Sequence, residues 1–223
     1  RIDVNSIFSL NRIGSLDTIE SGQSVTIGAE YTKSRIIDFE EEEEEYPTDI
    51  FELSLATVFR DEVNENLPTT SSLGNKSSDV FGHIELSPTN GFFSTKYKFS
   101  LDNNLDQFKY NELYADFKVN NFVTSFKYIE ENDNIGSEHY TENNTSFNFN
   151  ENNSISFSTR RNKKIDLTEF YDLIYQYKND CLTAAVKYKK EYYADNDLKP
   201  TEQLFFTITI IPLGAYESSN VLP

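Results

Sequence analysis

A chain whose segments place an apolar or aromatic residue at every second position has few folds open to it, and this chain keeps that pattern almost to its C-terminus. Phe93, Thr95, Tyr97, Phe99 and Leu101 fall on one side, with Ser94, Lys96, Lys98, Ser100 and Asp102 on the other. Phe122, Thr124, Phe126 and Tyr128 repeat the arrangement against Val123, Ser125 and Lys127. Successive side chains of an extended strand point to opposite sides, so each such segment is apolar on one face and wet on the other. Two kinds of object present that surface: a sheet packed over a core, and a barrel wall with lipid outside and water inside.

Composition narrows the partners. The 223 residues fit a single all-β domain, and the net charge of -17 argues against nucleic acid or an anionic lipid surface as an electrostatic partner. The 14 Tyr and 18 Phe are a heavy aromatic load for a chain with a mean hydropathy of -0.58. Such a load suits strands with rings on one face, and it suits the interfacial girdles of a membrane barrel. No run approaches the ~18 consecutive apolar residues of a membrane-spanning helix, a test that barrels escape. The opening residues Arg1-Ile2-Asp3-Val4 show neither a basic n-region nor an apolar h-region, and they read as the start of an excised segment.

The alternation predicts about eleven strands, over 22–33, 50–60, 79–87, 92–102, 108–119, 122–130, 144–150, 153–161, 166–178, 181–192 and 203–211. Most would have ~9–12 residues, against the ~5–6 usual in soluble sheets and close to what a tilted strand needs to cross a bilayer. Tight turns are expected at Pro88-Thr89-Asn90-Gly91, Asn120-Asn121, Glu151-Asn152 and Lys178-Asn179-Asp180, with longer loops at 61–78, 131–143 and 193–202. Tight turns thus recur at every second connection, as in up-and-down membrane barrels with short periplasmic turns and longer outer loops. One connection breaks the rule: 34–49, which holds Glu40 to Glu45, is long on the short-turn side.

Face chemistry agrees. The sets Val25/Ile27/Ala29/Tyr31, Phe51/Leu53/Leu55/Phe59, Leu113/Ala115/Phe117/Val119, Leu182/Ala184/Val186/Tyr188 and Leu204/Phe206/Ile208/Ile210 are assigned to the lipid side. The opposite faces carry Glu52, Arg60, Glu112, Asp116, Lys118, Arg160, Asp172, Lys178, Lys187 and Lys189. A Lys or Arg at mid-strand facing lipid costs ~2–4 kcal/mol, so these charges belong on a watered lumen. A soluble sheet with one solvated face would carry the same charges; strand length and loop asymmetry favour the barrel. The expectation is an all-β, antiparallel up-and-down transmembrane β-barrel segment, an open curved sheet if taken alone.

The opening, Asn5-Ser6-Ile7-Phe8-Ser9-Leu10-Asn11-Arg12-Ile13-Gly14-Ser15-Leu16-Asp17-Thr18-Ile19-Glu20-Ser21-Gly22, resembles the N-L-F-S-x-N-R-F-S-G-x-D-R-x-E segment of the LptD family of lipopolysaccharide-assembly outer-membrane proteins. Ile13, Ser15 and Thr18 depart from it. Ser78-Asp79-Val80-Phe81-Gly82 is similar to that family's S-D-[IV]-x-G strand start, residues 166–182 to its penultimate strands, and 204–214 to its last strand and tail. The resemblance implies an extracellular segment at 1–21, the C-terminal portion of a larger outer-membrane barrel at 22–212 and a periplasmic tail at 213–223. It implies lipopolysaccharide as cargo, an LptE-like plug lipoprotein inside the barrel and a periplasmic bridge protein reached through an upstream domain. Strand 203–211, with Leu204, Phe206, Ile208 and Ile210, would be one lip of a lateral gate opening towards outer-membrane lipid. Cys181 is the only cysteine, so no disulfide closes within the chain. Family members pair a cysteine here with one in their N-terminal part, which makes Cys181 a candidate for a long-range bridge.

Other candidates carry less. Asn11, Arg12, Asp17 and Glu20 mix charges within one segment and are candidates to fold it into a cap by ion pairing. Six adjacent glutamates read as a solvated acidic loop rather than a cation site. His83 and His139, the only histidines, lack a serine elbow, a cysteine partner or metal-ligand spacing. No cofactor or metal is expected, and the chain reads as a conduit rather than an enzyme. The alternatives are another large outer-membrane barrel of porin or receptor type, and a soluble secreted β-sandwich that binds a ligand.

Overall fold

A computed structural model describes residues 3–9, 12–13, 20–37, 46–69, 71–88, 91–132, 137–193 and 199–222. Among these residues the fold is all-β: twelve strands lie in one open antiparallel sheet, in the order in which they occur along the chain. Among the described residues the only helical element is a 3-10 turn at Ser72–Gly74. The chain divides into two compact units, 1–114 with 129–138, and 115–128 with 139–223.

In the first unit, β1 (Ser24–Ile37) and β2 (Tyr46–Arg60) form a long hairpin paired from Ser24 opposite Arg60 to Ile37 opposite Tyr46. β3 (Val80–Leu86) pairs with β2 and with β4 (Phe93–Leu101). The connection expected over 34–49 is therefore confined to 38–45, because both strands run further than the alternation suggests. Two features hid it. A bulge between Lys33 and Ser34 breaks the alternation, and Pro47 reads as a strand breaker. β3 ends at Leu86 opposite Phe51, so Pro47 lies where β2 has only β1 to pair with. The glutamate run falls outside the described residues.

Cross-strand rows show the two faces. Leu53, Ile84 and Tyr97 form one row of the apolar side, and Leu55, Gly82 and Phe99 the next. Between them, on the other side, run Ser54, His83 and Lys98, and then Ala56, Phe81 and Ser100. That second side is not wet along its whole length. Val4, Ile7, Leu67 and Leu73, from the opening segment and the β2–β3 connection, pack on Ala56, Val58 and Phe81 as a small buried core. The expectation of a face bathed throughout by solvent is corrected here, because loop residues carry their own apolar groups onto it.

β5 (Phe108–Val119) and β6 (Phe122–Glu131) contribute residues to both units. In the second unit β7 (His139–Asn148), β8 (Asn153–Asn162), β9 (Leu167–Lys178), β10 (Leu182–Glu191) and β11 (Thr201–Ile210) pair successively. Phe157, Leu173, Tyr188 and Leu204 form one apolar row, and Ile155, Tyr175, Val186 and Phe206 another. Ser158, Asp172, Lys189 and Gln203 form a row of the opposite face. Two differences from expectation appear. β7 begins at His139 rather than 144, since His-Tyr-Thr-Glu-Asn has no apolar side to betray a strand. A twelfth strand, β12 (Gly214–Glu217), pairs with β11 inside the segment expected to trail as a tail.

Gly82 sits beneath the ring of Phe99: a Cβ there would lie 2.1 Å from a ring carbon. The ring covers the gap that glycine leaves in the strand. Gly82→Ala is expected to cost about 1–3 kcal/mol, as overpacking does. The cost would be read as a lower urea midpoint, and Phe99→Leu in the same chain should recover most of it.

Candidate functional site

The functional surface of such a sheet is the wall itself. On the apolar side Val25, Ile27 and Tyr31 of β1 are 62 %, 56 % and 57 % exposed, and Phe206, Ile208 and Ile210 of β11 are 42–44 % exposed. Large side chains left open in rows mark a surface made for an apolar medium or a partner. On the other side charges meet one another. In the first unit Lys96 lies 3.0 Å from Glu85 and Lys109 lies 3.6 Å from the buried Asp79. His83 stands between Glu52 and Glu85, at 3.6 and 3.8 Å. In the second unit Arg160 lies 2.6 Å from Glu169 with its guanidinium over the Tyr140 ring, and Lys189 pairs with Glu191.

The opening segment is fastened to this charged side. Arg12 donates to Glu20 at 2.8 Å, to Thr26 and Ser24 of β1, and to the carbonyl of Ile7. Arg60, at the end of β2, donates to the other Glu20 oxygen and to the carbonyls of Leu73 and Ser21. One carboxylate thus joins two guanidinium groups, and the Arg60 side chain is only 1 % exposed. Buried charges persist only when paired and hydrogen-bonded, a condition this node meets. Asn11 and Asp17 lie outside the described residues. Arg60 was expected on this face but not as the third member of the node, since it lies far from the motif in sequence.

Asp3 closes the turn beneath. Its carboxylate accepts from the N–H groups of Asn5 and Ser6, and Lys98 lies 3.7 Å away. Burial works against its charge, but the Ser6 bonds, Lys98 and the Asn5 N–H outweigh it and hold the carboxyl below the usual carboxylate range. Beside it opens a recess of about 640 Å³ lined by Asp3, Asp79, Phe81, Lys98, Ser100 and Glu112, among others. Its lysine is paired with Asp3, and Val4, Ile13 and Phe99 share the lining, so the recess is mixed in character and no anion trap. Among the described residues no three His, Cys, Asp or Glu side chains gather as a metal site. His139 begins β7, not a loop as expected, and its ring faces the Tyr128 hydroxyl at 3.3 Å.

At the other end of the chain, Leu204, Phe206, Ile208 and Ile210 share the apolar side of β11. Cys181 is an exposed free thiol in the β9–β10 turn; its N–H donates to Asn179 and its carbonyl accepts from Ile211.

The sequence profile described as LptD: LPS transport system D matches residues 1–162, well over half of the chain. The chain belongs to the LptD family. The match takes in the opening motif, the Arg12–Glu20–Arg60 node and the strand start at Ser78-Asp79; the resemblances at 166–182 and 204–214 lie beyond it. No curated protein matches the chain. Family and fold together support lipopolysaccharide transport and an outer-membrane β-sheet wall.

For this LptD-family chain, Glu20→Ala would leave two guanidinium groups without their shared carboxylate. The expected loss is about 2–4 kcal/mol, below the full cost of an unpaired buried charge because Arg60 keeps its two carbonyl partners. Limited proteolysis should then cut within residues 3–9 faster than in the parent protein.

Proposed function

We propose that this chain is the C-terminal portion of an outer-membrane barrel that delivers lipopolysaccharide to the outer leaflet, with β11 as one lip of a lateral gate. The observation that carries the reading is the two-sided wall. Strand after strand exposes large apolar residues on one side and ion-paired charges on the other, in a chain of the LptD family. A closed barrel needs that alternation, since hydrocarbon offers no partner to a backbone or charged group. Lipopolysaccharide is an amphiphile, and a wall with oil on one side and water on the other suits it. Its acyl chains can leave sideways between parted strands while its sugars stay wet.

In this reading the connections after β1, β3, β5, β7 and β9 lie in the periplasm, and the opening segment faces the cell exterior. The charged face of the complete barrel receives an LptE-like plug lipoprotein, and an upstream domain meets the periplasmic bridge. A β-sandwich is disfavoured, since the described strands form one sheet rather than two stacked ones. A porin-type or receptor-type barrel shares the wall but not the family match.

Depletion of the gene product decides the matter. Newly made lipopolysaccharide should vanish from the cell surface while the protein itself fractionates with the outer membrane and needs detergent to leave it. Undiminished surface lipopolysaccharide after depletion would sink the export role. For Cys181 we propose a bridge to a cysteine outside this chain, which the oxidising periplasm supports. Non-reducing peptide mapping of the complete protein should find Cys181 linked, and a free thiol there would exclude the bridge.

A further inference from the structure

The outer edge of β11 is not bare. β12 pairs with it from Ile210 opposite Gly214 to Thr207 opposite Glu217. Beyond β12 the chain keeps to the same line. The Ser218 N–H donates to the Phe206 carbonyl and the Val221 N–H to the Leu204 carbonyl. Side chains fill the remaining places: the Phe206 N–H donates to the Ser218 hydroxyl, and the Leu204 N–H to the Asn220 amide oxygen. The Asn220 amide in turn donates to the carbonyl of Glu202.

This segment also respects the wall's two faces. Tyr216 stands opposite Ile208 on the apolar side. Glu217, on the other side, reaches past β11 to Lys187 of β10 at 3.5 Å. Gly214 makes the return possible, with a φ of 140° that other residues adopt only under strain.

We infer that residues 214–222 are a built-in strand ligand, a strap that occupies the pairing edge of β11 and must leave before any other strand can pair there. In strand addition the main-chain bonds supply affinity and alternate side chains supply register, and this segment offers both. The pairing stands on the geometry alone. Its consequence rests on the export reading: the strap competes with the barrel's first strand for the lip of the gate.

The test uses the complete protein in its own outer membrane. Phe206 and Ser218 are a hydrogen-bonded pair, so Thr209 and Ala215 form an alternate, non-bonded pair. Such pairs have Cα atoms about 4.5 Å apart, within the reach of a disulfide. The double variant Thr209→Cys/Ala215→Cys should close under mild oxidation, shown by mass spectrometry as a linked peptide. If both thiols stay free while the control pair Ala184→Cys/Ile208→Cys closes between β10 and β11, the strap is wrong.

Gly214→Val should loosen the strap by backbone strain and speed maleimide labelling of a lone Thr209→Cys roughly tenfold. An unchanged labelling rate counts against the inference. Locking the strap by the Thr209–Ala215 link should cut surface lipopolysaccharide about tenfold, reversibly with reductant. Undiminished display with the link closed would overturn the competition at the gate. The depletion experiment reads the export role separately, so either idea can fail without the other.

Discussion

Every strand of this chain has main-chain N–H and C=O groups on both of its flanks, and in hydrocarbon none of them can be left to water. The constraint orders the rest of the structure. It makes each strand pair with the next along the sequence, from β1 to β12. It rewards side chains such as Ser218 and Asn220 for standing in where the backbone slips out of line. It also makes the outermost edges the places where rearrangement costs least, because only there does a strand have a single neighbour to lose.

The two faces of the sheet are governed by separate rules. The apolar side leaves Val25, Ile27 and Ile208 exposed, as suits a wall that meets an apolar medium. The charged side obeys pairing, with lysine against glutamate along and across strands. Where the opening segment folds onto that side, a third solution takes over. Val4 and Ile7 bring a patch of ordinary protein core, and the two arginines at its border share the carboxylate of Glu20. A surface designed for water thus tolerates a dry patch, provided the charges around it are matched.

Much of this was legible from residue order. Phe93 to Leu101 and Phe122 to Tyr128 announce their strands because each has one clean apolar side. The opening motif was recognisable, and Arg12 and Glu20 do meet. What escaped notice had a local physical cause. His139 to Asn143 is polar on both sides, so its strand gives no period to detect. The bulge after Lys33 reverses the alternation, which makes a strand look like a loop. Gly214 to Glu217 is too short to establish a rhythm, and its pairing depends on a neighbour already in place. Arg60 could be assigned to a face but not to a partner, since Glu20 lies 40 residues away in the chain.

Neighbour-only pairing has a kinetic meaning. Each hairpin closes a loop no longer than its own connection, and turns such as the one where Asn179 accepts from Cys181 and Leu182 are tied by their own side chains. No strand has to wait for a distant one to arrive. The sheet can grow by adding hairpins in the order of synthesis, each new one templated on the last, and the late step is the docking of residues 3–9 and 12–13 onto it.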